Sequence, residues 1–443
     1  MAHQKDTVKA ATTATTLDIV LQNQTTSGTV YAYITGLAID NNNALFLLKS
    51  DGKTAYYPTS PSGTQAALGA DCAIPLGAVG NSVTATIPRL AGARLWFSRD
   101  ATITFYLNPG PALVEPSPSN KSDPNYNTYW DFCEFTFNDS QLYANISYVD
   151  FVSLPISLTL TNTSGQTQHI SGLPSNGLDT ICSGLNSQQA KDNAGWNQLI
   201  VQKNGANLRA VSPNTGIVMN SSLFNGYYSS YVDQVWSKYS SGSLTVNTQM
   251  SAGNVGATVS NNVLNFGNGA ATYSKPAATD IFSCSSGPFA VSGNQEKDAI
   301  TARLAAAFNR STLLVNNNTP ANENPSNYYQ NPITNHYARI VHAANLDKRG
   351  YSFPYDDVAP TNGADQSGSV FDGSPKSLTV VVGGGNATAG PSAPAKGAKD
   401  SKDANTPSTS QPGQGGQGGQ GTKKGINWQS ILDFLKGLPC FKA

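Results

Sequence analysis

Charge is scarce in this chain. Only 12% of its 443 residues are Asp, Glu, Lys or Arg, and the two signs balance at 27 each. Nucleic-acid binding relies on a basic excess that neutralises phosphates, so this composition argues against that partner. Cysteine and histidine are scarce too. Cys72, Cys133, Cys182, Cys284 and Cys440 form no C-x-x-C pair, which argues against a zinc ribbon. An odd count leaves at least one thiol unpaired or intermolecular. Two disulfides are open to the rest, with a pairing that spacing does not assign. His3, His169, His336 and His342 are too scattered to suggest a metal cluster, and no metal is expected. No apolar run reaches the ~18 residues of a membrane span. The opening MAHQKDTVKAATTATT shows no apolar stretch of the kind a secretory signal carries.

What the chain does have is apolar patterning and neutral polarity. Hydrophobic residues make up 39%, enough for a substantial core. Asn, Ser, Thr, Gln and Gly supply a polar surface without charge, a tendency of extracellular β-proteins and carbohydrate binders. Residues 1–16 read as a disordered lead. From 17 to 172 the pattern is almost all β, with runs such as LDIVLQNQ and TVYAYITGLAI. Asp51-Gly52 between ALFLLKS and KTAYYP is a hairpin signal. Residues 173–345 read as a mixed α/β domain. Leu178, Ile181, Cys182 and Leu185 recur at helical spacing, as do Tyr231, Val232, Val235, Trp236 and Tyr239. The aromatic stripe is read as helix core. Ser292 and Gln295 suggest a capping box ahead of a third helix. QLIVQ, TGIVM, LTVNTQ and NVLNF look like short strands. Residues 346–382 turn β again and are expected to complete the first domain. A Gly/Pro/Ser-rich linker follows at 383–425, and 426–443 reads as a short amphipathic helix.

The stretch from Trp130 to Ile156, WDFCEFTFNDSQLYANISYVDFVSLPI, carries the candidate chemistry. Glu134 and Asp150 lie in neighbouring β-patterned segments among aromatic, amide and hydroxyl side chains. Two carboxyls can cut a glycosidic bond. One protonates the leaving oxygen, and the other activates water or attacks directly. Aromatic faces stack on sugar rings, and amides and hydroxyls match sugar hydroxyls. Phe132, Cys133 and Phe135 offer the apolar setting that raises a carboxyl pKa. Thr136 and Asn138 share Glu134's side of an ideal strand. A tight turn at Asp139-Ser140 would pair Glu134 near Asn145, leaving Asp150 roughly 17 Å farther along the strand. A bulge between Tyr143 and Asp150 is therefore expected. Asp356 and Asp357 read as a turn or a support for the returning strand rather than as direct chemistry.

The same residues carry a family resemblance. EFTFN followed by QLYANISYVDFVSLPI resembles the cleft strands of thaumatin-like proteins. LDIVLQNQTTSGTVYAYITG, VTATIPRLAGARLWFSRD and GYSFPYDD resemble other segments of that group. With NHYARIVHAANLDKRGYSFPYDDV at 335–358, the chain is more similar to glycoside hydrolase family 64, the β-1,3-glucanases, over roughly residues 17–382. The resemblance implies a mainly β fold, with a thaumatin-like β-sandwich or barrel, an added α/β domain and a wide groove between them. It implies an inverting hydrolase of β-1,3-glucan that releases short laminari-oligosaccharides, the pentamer among them. Glu134 would be the general acid and Asp150 the general base. Thr136, Asn138, Tyr143 and Ser147 would bind substrate. Neither metal nor organic cofactor is implied, and a monomer is expected. Two departures stand out: Phe132 replaces an Arg found in many thaumatins, and Asn145 falls near one of their cleft aspartates. A non-catalytic thaumatin-like glucan-binding protein is the competing reading. A wall glucan would put the protein outside the cell, although no signal peptide is visible.

Overall fold

The structure, a computed structural model, describes residues 13–361, 363 and 366–384. Among the described residues strand outweighs helix, 33% against 22%, so the fold is mainly β. The first strands are β1 (Thr16–Asn23), β2 (Val30–Ala38), β3 (Ala44–Leu48), β4 (Ala55–Tyr56), β5 (Ser82–Pro88) and β6 (Leu90–Arg99). Then come β7 (Tyr129–Phe137), β8 (Leu142–Ile146), β9 (Phe151–Val152), β10 (Ile156–Asn162) and β11 (Thr167–Ile170). The middle of the chain supplies α1 (Gly177–Asp192), β12 (Ala206–Val211), α2 (Pro213–Met219), α3 (Ser229–Ser241), α4 (Gln295–Arg310) and α5 (His336–Ala344). Last come β13 (Ser369–Asp372) and β14 (Pro375–Val382).

One sheet runs β11–β10–β14–β1–β5. A larger one runs β13–β8–β7–β6–β2–β3–β4, with Ile74–Pro75 added on β2. The late strands β13 and β14 therefore sit among strands from the first 170 residues. Strict alternation explains the first sheet. Leu17, Ile19 and Leu21 of β1 are buried, as are Leu158 and Leu160 of β10 and Leu378, Val380 and Val382 of β14. Each such side chain contributes roughly 1.5–3 kcal/mol when fully removed from water. Strands β2, β6 and β7 are buried on both faces, which is why their sequences run nearly continuously apolar. Asp51-Gly52 does turn β3 into β4. Asp51 Oδ1 accepts from the Lys53 and Thr54 amides at 2.8 Å each, and Gly52 adopts a φ of +70°.

The helical periodicities hold: Ile181, Cys182 and Leu185 are buried on α1, and Tyr231, Val232, Val235, Trp236 and Tyr239 on α3. Some details differ. TGIVM is helical, because Ser212 caps Thr215 N and Pro213 opens α2. The cap of α4 is Asn294, whose Oδ1 accepts from the Glu296 and Lys297 amides, while Ser292 bonds Asp298. Residues 13–16, read with the N-terminal lead, are built in. Thr13 donates from N to Asp139 O and from Oγ1 to Asn138 O. The two possible disulfides do not form among the described residues: Cys72, Cys133, Cys182 and Cys284 are buried thiols. The linker beyond 384 and the C-terminal helix at 426–443 lie outside the described residues.

Candidate active site

The site is written across the larger sheet as a row. Thr35 on β2 pairs with Arg94 on β6, Arg94 with Glu134 on β7, Glu134 with Asn145 on β8, and Asn145 with Ser369 on β13. Directly paired residues of antiparallel strands project to the same face, so these five side chains form one polar line. The neighbouring row on one side is aromatic, Tyr33, Trp96 and Phe132. On the other side Thr136 pairs with Tyr143, and Tyr143 with Phe371. The opposite face carries Ile34, Leu95, Cys133 and Ile146 into the core.

The Glu134–Asn145 pairing is the one expected from a tight hairpin at Asp139-Ser140. The expected bulge is absent. β8 pairs regularly with β7 and ends at Ile146; the chain then touches Tyr351 through a single bridge at Ser147 and bends at 149–150. That bend brings Asp150 back towards Glu134, close enough for its charge to act on Glu134, Arg94 and Glu115. The turn is fastened on all sides. Tyr148 N donates to Tyr351 O, Tyr337 Oη donates to Tyr148 O at 2.7 Å, and Ser212 N donates to Asp150 O at 2.8 Å. Asp131, on the opposite face of β7 from Glu134, accepts from Ser153 N at 2.7 Å and Leu154 N at 2.9 Å. Burial outweighs these amide bonds and pushes the Asp131 carboxyl up to about 7.

Arg94 sits at the centre of the electrostatics. Its Nη2 and Nε approach Glu134 Oε1 at 3.2 and 3.3 Å, and its Nη1 holds Glu115 Oε2 in the closest contact of the group. Its guanidinium lies over the Phe132 ring at 4.7 Å. Burial works against the Arg94 charge, but Glu115, Glu134 and Asp150 outweigh it, so the net shift keeps the guanidinium cationic. Glu134 is 3% exposed. Desolvation raises its pKa above the usual carboxyl range; Arg94 opposes the shift and Asp150 adds to it. The Asn145 amide faces the same carboxyl, short of a full hydrogen bond.

A cleft of about 560 Å³ opens onto this group. Arg94, Glu115, Asp150, Trp96, Trp130 and Phe132 are among its lining residues. Arg209 of β12 fixes its far wall by donating to the carbonyls of Pro118, Tyr126 and Thr128. A second cleft, about 430 Å³, lies at the start of α4 beside Thr248, Asn294 and Glu296 and contains a single carboxylate.

The expected substrate-binding residues divide. Thr136 and Tyr143 stand side by side on the Glu134 face, half-buried, and Thr136 Oγ1 has no hydrogen-bond partner among the described residues. Ser147 is buried at the bridge to Tyr351. Asn138 lies beyond the end of β7, where its Oδ1 accepts from the Ser140 and Gln141 amides at 2.9 Å each. Its acceptor is thus committed to the hairpin turn. Asp356 is structural, as expected: it is buried against Arg310 and His342. Sequence reasoning missed Arg94 and Glu115. A lone Arg inside the apolar run LAGARLWF was the available signal for the first. Glu115, in an irregular Pro-flanked loop, offered none.

Carboxyls gathered in an aromatic-walled cleft suit a protein that handles polysaccharide, and comparison with known proteins agrees. The β-1,3-glucanase family profile matches residues 15–382. A glucan endo-1,3-beta-glucosidase of Arthrobacter sp. (strain YCWD3) is 30% identical over 319 residues, 70% of this chain and 56% of that protein. One of Cellulosimicrobium cellulans is 30% identical over 317 residues. The chain thus spans about half the length of the curated relatives it matches. The crystal structure of a laminaripentaose-producing beta-1,3-glucanase in complex with laminaritetraose superposes with a TM-score of 0.74 at 30% identity. That match covers 83% of this chain and 98% of the other. A glycoside hydrolase family 64 domain from Clostridium beijerinckii shares the fold at 22% identity and a TM-score of 0.66. The chain belongs to the β-1,3-glucanase family, glycoside hydrolase family 64.

Proposed function

We propose that this protein hydrolyses β-1,3-glucan with inversion, releasing short laminari-oligosaccharides such as the pentaose. The observation that carries the reading is the convergence of Glu134 and Asp150 on one charge cluster at an aromatic-walled cleft. Glu134 is the general acid: its buried, raised carboxyl retains a proton and donates it to the glycosidic oxygen as the bond breaks. Asp150, at the cleft wall, is the general base and takes a proton from the attacking water. The Tyr143 ring stacks on sugar, and the Thr136 hydroxyl and Ser147 bind its hydroxyls. Asn138 retains only its amide nitrogen for substrate. The groove is proposed to run between residues 17–172, completed by 346–382, and the α/β segment 173–345.

The test is product analysis on β-1,3-glucan, with NMR following the anomeric configuration of new reducing ends. Wild type should release α-anomers first. Glu134→Gln should lose activity on the order of 10²–10⁴-fold while still binding glucan. Early β-anomers would overturn inversion, and full activity in Glu134→Gln would overturn the assigned acid.

A further inference from the structure

We propose that Glu115 is a positioning residue that ties up the charge of Arg94 and so keeps the proton of the cluster on Glu134. This rests on Glu134 being the acid. Arg94 is one cation shared among three carboxyls: Glu115 from the loop after the strand Ala112–Val114, Glu134 from β7 and Asp150 from the bend after β8. The charged groups facing Glu115 are Arg94 and Asp150. Those facing Glu134 are the same two, with the Tyr351 phenol and the buried Cys133 thiol nearby. If all three carboxyls ionised, the group would carry a net negative charge against Trp96, Trp130 and Phe132. Carboxyls this close titrate as a coupled set, and the set holds a proton to higher pH than an isolated acid would.

Geometry decides where that proton sits. Glu115 makes the closest contact to Arg94, and its side chain is 26% exposed. The Glu134 side chain is 5% exposed and meets the guanidinium only at 3.2 and 3.3 Å. Water at Glu115 favours its ionised form, so the proton stays on the drier Glu134. Burial raises both carboxyls, Arg94 opposes the shift in each, and Asp150 adds to it. Glu115 thus acts through Arg94. It stops the guanidinium from turning wholly to Glu134 and stripping the acid of its proton.

The experiment is the pH dependence of kcat and KM on soluble β-1,3-glucan for wild type, Glu115→Gln, Glu115→Asp and Glu134→Gln, each checked for folding by thermal melt. Neutralising Glu115 frees Arg94 to turn wholly to Glu134, which lowers the Glu134 pKa. The alkaline limb of kcat, where the acid loses its proton, should therefore move to lower pH by about one unit or more in Glu115→Gln. KM should change little, and Glu115→Asp, which keeps the charge, should restore the limb most of the way. A folded Glu115→Gln whose limb does not move overturns the proposal. So does one inactive at every pH, since Glu115 would then be the proton donor itself. If Glu115→Gln does not fold, Glu115→Asp decides: a limb displaced as far as a full charge loss predicts would also overturn it. An inactive Glu134→Gln beside an unmoved limb fails only the role of Glu115. Full activity in Glu134→Gln fails the acid assignment and the proposal with it.

Discussion

Asp356→Asn should destabilise the protein by removing the negative charge, and one of two acceptor oxygens, from a fully buried charge group. Asp356 Oδ1 accepts from Arg310 Nη2 at 3.0 Å, and Oδ2 accepts from His342 Nε2 at 2.8 Å and from Ser352 N at 3.0 Å. His342 Nδ1 meets Lys348 O at 3.0 Å, so both ring nitrogens face acceptors and the imidazolium suits the site. Both side chains of the Arg310–Asp356 pair are completely buried. Breaking a buried pair by removing one partner costs roughly 3–5 kcal/mol. With an unfolding entropy near 2.1 cal/mol/K per residue over the roughly 370 described residues, the melting temperature should fall by about 4–6 °C. Calorimetry of Asp356→Asn beside the exposed Asp139→Asn measures it, and Asp139→Asn should stay close to wild type. A drop under about 1 °C in Asp356→Asn would refute the reasoning.

The pH dependence of the same clamp carries two signs. Burial tends to raise the Asp356 carboxyl, but His342 and Arg310 outweigh it and hold it below its ordinary value. Its contribution is therefore present above the unfolded carboxyl pKa and lost as pH falls through the lowered folded value. Burial opposes the His342 charge, but Asp356 wins and raises its pKa. That contribution is full below the unfolded histidine value of about 6.5 and lost as pH rises through the raised folded one. Wild-type melting temperature should thus decline on both flanks, and Asp356→Asn should flatten both.

Two further outcomes are expected. Tyr143→Ala should raise KM on β-1,3-glucan about 3–10-fold with a smaller effect on kcat, and Tyr143→Phe should keep the stacking face; equal KM values in wild type and Tyr143→Ala would remove the ring from the substrate path. Reductant should leave the melting temperature unchanged, and a thiol reagent should label Cys72, Cys133, Cys182 and Cys284 only on unfolding, because all four are buried thiols and burial raises the Cys72 pKa to about 11.

How much of this was legible in the sequence depends on the range of the forces involved. Alternation marked β1, β10 and β14 because one face of each meets the core, and the Asp139-Ser140 turn fixed the Glu134–Asn145 register through local geometry. The bend that returns Asp150 was unreadable, since it depends on Tyr337, Tyr351 and Ser212, all distant in sequence. The pairing of Arg94 with Glu115 and Glu134 likewise exists only once β6 and β7 lie side by side. TGIVM has strand-like composition, and the Ser212-Pro213 start signal overrode it. Asn138 has the right side of the strand by parity, yet the turn claims its oxygen.

The placement of β14 has a consequence for how the chain is born. It lies between β1 and β10, parallel to the first and antiparallel to the second, so residues from opposite ends of the described chain are direct neighbours. Until Pro375–Val382 has left the ribosome, β1 and β10 each present an unpaired backbone edge to whatever is nearby. The central strand of that sheet is thus the last of its five to be made, and the sheet cannot close until the whole stretch between β11 and β14 has been synthesised. Such long-range pairing slows folding and leaves an extended window in which chaperones or neighbouring chains compete for the gap.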